Sequence, residues 1–149
     1  MHLVVVTPRG SKVDTDVAMV TVPGQAGELG ILPGHRPLIT SLAIGMVTYS
    51  DGGKVKHLAT NEGFMEVHDD SVVVVTESAE EPDEIDAERA KRSLDSAESA
   101  IKAIDPHGDP VGWQQTLDKR ARALNRLAVS RFATPEAIKI QQERAARGQ

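Results

Sequence analysis

Two hydrophobic periods divide the chain. Through the first 80 residues apolar positions read with period two, in short β-branched runs: Leu3-Val4-Val5-Val6, Val17-Ala18-Met19-Val20-Thr21-Val22, Met46-Val47-Thr48-Tyr49, Val55-Lys56-His57-Leu58 and Val72-Val73-Val74-Val75. Turn residues punctuate them, and Asp51-Gly52-Gly53 is the best hairpin signal. Strands at this spacing, with no helical period between them, predict an antiparallel β-sandwich or barrel of about eight to ten strands.

The period changes at the acidic run Glu77-Ser78-Ala79-Glu80-Glu81-Pro82-Asp83-Glu84. Ala90, Leu94, Ala97, Ile101 and Ile104 then form one stripe, predicting a helix of about 20 residues with Asp83 as its N-cap. Asp105-Pro106-His107-Gly108-Asp109-Pro110 stops it. A second helix starts near Pro110 with Trp113, Leu117, Ala121, Leu124 and Ala128 on one face, and Thr134-Pro135 caps a short third. Alanine in both seams lets the first two helices lie close, as an antiparallel hairpin. The expected architecture is β + α: a β-sandwich domain over 1–82, then a helical hairpin domain with a short extra terminal helix over 83–149.

Composition narrows this picture. Aromatics make up 3% of the 149 residues, so Val, Leu, Ile and Ala must build the core. A chain of this length buries roughly 70% of its unfolded surface, enough for a real core. With no cysteine there is no disulfide framework and no thiolate chemistry, which suits a reducing compartment. The N-terminus lacks the basic region and cleavage site of a signal peptide, and no apolar run reaches 18 residues, so a soluble chain is expected. A net charge of −5 argues against nucleic acid as a partner.

Candidate chemistry is sparse. There is no Gly-x-x-x-x-Gly-Lys-Ser/Thr loop, no nucleophile elbow, and no metal-ligand spacing among the five histidines. No catalytic residue and no metal site are expected. Gly27-Glu28-Leu29-Gly30-Ile31-Leu32-Pro33-Gly34-His35-Arg36-Pro37-Leu38 reads as a shaped turn with the carboxylate of Glu28 at its front. Ile85-Asp86-x-x-Arg89-Ala90 places Asp86, Arg89 and Ala90 on one helix face, either as a ligand contact or with Asp86 helping to cap the helix. Lys119, Arg120, Arg122, Arg126 and Arg131 run without an intervening acid. Arg122 and Arg126 repel mildly at i and i+4, and their counterpart is either an anion or the acids Asp86, Glu88 and Asp95 across the hairpin.

Together these residues resemble the epsilon subunit of bacterial F-type ATP synthase. Val5-Val6-Thr7-Pro8, the segment Gly27 to Leu38, Gly63-Phe64-Met65-Glu66-Val67, Ile85-Asp86-x-x-Arg89-Ala90 and Arg122-Ala123-Leu124-Asn125-Arg126-Leu127 match its motifs in order over nearly the whole chain. The resemblance implies a non-catalytic rotor subunit of a proton-translocating enzyme, peripheral to the cytoplasmic face of the bacterial inner membrane. Its sandwich would bind the gamma subunit and rest on the c-ring, with Glu28 facing the ring. Its hairpin would have a compact state and an extended one inserted among the catalytic alpha/beta subunits, where it obstructs hydrolysis. No cofactor is obligatory, and ATP would be a regulatory ligand on Glu80, Asp86, Arg89, Arg122 and Arg126. Ser96 and Gln115 stand where a tight-binding member has arginine, the loop 105–112 is longer than in many members, and residues beyond Ala133 pass the usual end. The rival reading is a generic sandwich adaptor with a helical tail and no rotary role.

Overall fold

Ten strands form before residue 81: β1 (His2–Thr7), β2 (Gly10–Asp16), β3 (Val20–Gly24), β4 (Gly27–Ile31), β5 (Leu38–Leu42), β6 (Gly45–Asp51), β7 (Lys54–Thr60), β8 (Gly63–His68), β9 (Ser71–Thr76) and β10 (Ala79–Glu80). The computed structural model, which describes residues 1–148, joins them in one ladder, β10-β7-β6-β3-β5-β8-β9-β1-β2, with β4 added to β3. Only Gly24 and Leu42 pair β3 with β5, so the ladder folds there into two layers. Inward residues of both layers, among them Leu3, Val5, Met65, Val67, Val72 and Val74 from one and Val20, Val22, Ile31, Val47 and Leu58 from the other, make one aliphatic core.

Three details differ from the pattern-based reading. The pairing is antiparallel except between β1 and β9, which run parallel. The expected strand Val17–Val22 is broken, because the chain leaves the β1–β2 ladder at Asp16 and joins β6 only at Val20. Val17 is buried at this crossing and donates its N–H to Met1 O. The segment Gly27 to Leu38 is not one turn. Its first five residues are β4, so Glu28 and the Pro33-Gly34 turn lie at opposite ends of that strand.

Hairpin chemistry explains most connections. Gly52 and Gly53 both have positive φ between Asp51 and Lys54, the mirror-image turn that suits strand twist. Asp69 and Asp70 adopt the same geometry between β8 and β9, at φ 47° and 60°.

From Pro82 onward the chain forms a second compact unit: a 3-10 turn (Pro82–Glu84), then α1 (Ala87–Ala103), α2 (Pro110–Ser130) and α3 (Pro135–Ala146). The division falls one residue before the expected boundary. Asp86, not Asp83, caps α1, its carboxylate accepting from Arg89 N at 3.0 Å, so the helix is 17 residues long. Asp109 and Thr134 cap α2 and α3, each followed by proline at the first helical position. In α1 Ala90 and Ala97 are buried, as the stripe requires. In α2 the buried residues are Thr116, Ala123 and Val129, while Leu124 is 44% exposed. For Thr116 and Ala123 the buried face is thus turned by about 100°, one residue, from the expected one, while Val129 is buried on another side of the helix. The small residues Thr116 and Ala123, rather than the large ones, bring the helices together.

Candidate functional site

Hairpin register follows from an ion pair across it, Arg120 Nε to Glu98 Oε1 at 3.6 Å. In an antiparallel pair, residues equally far from the connection lie side by side. Arg89 on α1 is therefore level with about Val129 of α2, near the open end, with Arg126 about one turn and Arg122 about two turns nearer the connection. Asp86 caps the same end of α1. Four of the five residues expected to hold a nucleotide thus lie within about three turns of one hairpin, from its open end to its middle. The fifth, Glu80, is on β10 in the other unit.

The electrostatics of this end are unbalanced. Asp86 commits one oxygen to its own helix and is exposed. Arg89 is exposed, and its guanidinium has no hydrogen bond or ion pair among the described residues; nor has that of half-buried Arg122. Half-buried Arg126 does have a partner. The acids weighed as cross-hairpin counterparts, Asp86, Glu88 and Asp95, do not take that role for Arg122: the acid used is Glu98, and it serves Arg120. Two cationic forks without a carboxylate partner among the described residues, Arg89 in the first turn of α1 and Arg122 about two turns further along the hairpin, suit a polyanion.

The sandwich offers two further features. Glu28 is exposed on β4 opposite Pro23, without a hydrogen bond or ion pair among the described residues. At the other end of β4, Gly34 at φ 81° closes the turn, with His35 N bonded to Leu32 O. His35 is a loop residue, Nδ1 lying 2.7 Å from Arg36 O. Asp70 pins this loop, Oδ1 accepting from Gly34 N at 3.1 Å while Oδ2 lies 3.5 Å from the N-terminal ammonium. The sequence reading missed Asp70, although Asp69-Asp70 between alternating runs was a usable turn signal.

It also missed an outward apolar patch. The pairings of β5, β8, β9 and β1 align Phe64, Val75 and Val6 in one row and Ile39, Glu66, Val73 and Val4 in the next, all turned from the core, so one exposed carboxylate interrupts the apolar side chains. Ile39 is 74% exposed and Phe64 49%. The patch ends at His2, whose two ring nitrogens lie 2.7 and 2.6 Å from Asp16 and Asp14. Both nitrogens donate only in the imidazolium, and the bonds to Asp16 and then Asp14 raise the His2 pKa above 6.5. Exposed Ile39 and Phe64 beside four half-buried valines, with Glu66 among them, give an apolar surface with a polar point, of the kind that partners cover.

Residues 1–82 match the family model described as the ATP synthase, delta/epsilon chain, beta-sandwich domain. The ATP synthase epsilon chain of Geobacter metallireducens is 46% identical over 116 residues, 78% of this chain and 84% of that one. That of Geobacter sp. (strain M21) is 46% identical over 130 residues, covering 87% and 92%. A chain in the Euglena gracilis mitochondrial ATP synthase structure of OSCP, F1 and c-ring superimposes with TM-score 0.74 at 25% identity, over 85% of this chain and 78% of that chain. A chain of the Tetrahymena thermophila central stalk and c-ring shares the fold over 56% of this chain and 68% of its own, with TM-score 0.51 at 18% identity.

Proposed function

The chain belongs to the ATP synthase delta/epsilon family, as an epsilon chain, and from that premise we propose that it is a non-catalytic rotor subunit whose hairpin senses ATP and restrains hydrolysis. The sandwich is its fixed part. Phe64, Val75 and Val6, with Ile39, Val73 and Val4 around Glu66, take a face of the gamma subunit, and exposed Glu28 meets the polar loops of the c-ring of a proton-translocating enzyme. The assembly holds the chain at the cytoplasmic face of the bacterial inner membrane; among the described residues no helix is long and apolar enough to cross a membrane itself.

The hairpin is the variable part. In a compact state Arg122 and Arg126, with Arg89, Asp86 and Glu80, receive ATP; in an extended state the same arginines meet acidic surfaces of the catalytic alpha/beta subunits. The two uses exclude each other, so the basic face is itself the switch. ATP shifts the balance by no more than its difference in affinity for the two states. The observation that carries this reading is the uncompensated guanidinium of Arg122, with Arg126 one turn on. Replacing both by alanine in the assembled enzyme should weaken nucleotide binding by roughly 10–100-fold, the worth of one or two charge-assisted contacts, and relieve inhibition of hydrolysis. Retention of both properties would overturn the proposal.

A further inference from the structure

Three hydrogen bonds tie the last helix to the segment leading into the hairpin. Asp83 in the 3-10 turn accepts from Thr134 N through Oδ1 at 2.7 Å and from the Thr134 hydroxyl through Oδ2 at 3.0 Å. Gln141, further along α3, donates its side-chain amide to the backbone carbonyl of Ile85. Thr134 at the same time caps α3, its Oγ1 accepting from Ala137 N at 3.3 Å. Ile85 in turn closes the 3-10 turn through Pro82 O and buries its side chain completely. The start of α3 and its second turn therefore grip two points of the lead-in segment, residues 83 and 85.

What α3 lacks is equally telling. No residue of α3 is buried, and Ile138 and Ile140 are 41% and 50% exposed. A helix held permanently against its neighbours normally docks an apolar stripe. This one is fastened largely by polar groups, two of them on an exposed carboxylate. Exposed hydrogen bonds exchange with water at little net cost, so the fastening opens far more readily than a packed seam.

We propose that α3 is a releasable clasp on residues 82–86. Closed, it keeps the 3-10 turn wound and fuses the lead-in to the hairpin as one body. Open, it lets the backbone of 82–86 extend, giving the hairpin the slack a change of state demands. Control of the compact/extended balance by the clasp rests on the two-state reading above; the clasp itself does not.

Amide hydrogen exchange on the full chain and on the assembled enzyme tests it, with Asp83→Ala, Gln141→Ala and the neighbouring control Gln142→Ala. The clasp predicts roughly tenfold faster exchange at residues 84–87 and 134–141 for the first two, with the α1–α2 seam around Ala97 and Ala123 and the control unchanged. Unchanged exchange at 84–87 overturns the clasp, and so does an equal rise through the whole hairpin, which would make Asp83 a general stabiliser. Hydrolysis by the same assembled variants separates the two ideas. Faster exchange with a severalfold change in inhibition supports both; faster exchange with inhibition unmoved leaves the clasp standing and removes the two-state reading.

Discussion

Gly63 allows a magnitude to be worked from geometry. It opens β8, paired with Thr76 of β9 on one side and Leu42 of β5 on the other. A Cβ at this position would lie 1.9 Å from Val75 O, 2.9 Å from Val75 C and 3.0 Å from Thr76 Cα. All three are backbone atoms of the neighbouring strand, so no rotamer relieves the clash. Close carbon–oxygen contacts begin at about 3.3 Å, so β8 and β9 must part by roughly 1.4 Å in Gly63→Ala. That movement disturbs the ladder and the buried Thr76 hydroxyl, which lies 3.0 and 3.1 Å from Asn61 O and Glu62 O. Two impaired hydrogen bonds at about 1 kcal/mol each, with overpacking of about 2 kcal/mol, give roughly 4 kcal/mol. The lost flexibility of the unfolded chain offsets about 1, leaving a net cost of about 3 kcal/mol. Urea unfolding should be followed through Tyr49, 97% covered in the sandwich core, and separately through Trp113 in α2. At a slope of about 1.5 kcal/mol per molar, the Tyr49 midpoint should fall by about 2 M. A fall below about 0.3 M at unchanged slope would refute the reasoning, since the strands would then have slack.

Histidine titration should split in opposite directions. Its bonds to Asp16 and Asp14 place the His2 midpoint above 6.5, so its contribution to stability is full below 6.5 and fades as pH rises through the raised value; burial pushes His57 below 6.5, so it is neutral to stability above that pH and opposes the fold as pH falls below it. Imidazole proton shifts by NMR check both, and a His2 midpoint at or below 6.5 would contradict its clamp. Asp109→Ala removes the cap of α2 and should cost about 1 kcal/mol in the Trp113 transition. Asn at both Ile39 and Phe64 should leave stability within about 0.5 kcal/mol, since both are exposed, yet weaken binding to gamma at least tenfold; unchanged binding would move the gamma surface elsewhere.

How much could be read in advance depended on whether a residue's role was local. Gly52-Gly53, Asp109-Pro110 and Thr134-Pro135 act through their own backbone, and each forms the turn or cap its chemistry dictates. Val17 failed because a strand's end is set by its partners: the run stays apolar, but β1 is exhausted at Asp16. Leu124 failed because period alone chooses the face richest in large residues, whereas close approach selects Thr116 and Ala123. The apolar patch was hidden for a related reason. Val72 to Val75 are identical in type, so alternation cannot reveal that Val73 and Val75 face outward. Asp83 looked like a helix cap, and only a tertiary contact with Thr134, 51 residues away, gives it another task.

The distribution of buried side chains also bears on where regulation can operate. In the sandwich, Leu3, Ile31, Leu42, Leu58 and Met65 are fully buried, each worth about 1.5–3 kcal/mol, amid a ring of valines. In the helical unit the buried apolar residues are Ile85, Ala90, Ala97, Ala123 and Val129. Three of the five are alanines, and a methyl group contributes only about 0.8 kcal/mol. A nucleotide present at 100 times its Kd stabilises the state it binds by about 2.7 kcal/mol, a third to a half of what these five side chains contribute and small beside the sandwich core. Such a ligand can therefore rebalance the helices without loosening the sandwich, the part proposed to hold gamma and the ring. A hairpin zipped by leucines would bind the same anion and respond to it less, because the competing state would begin too far uphill.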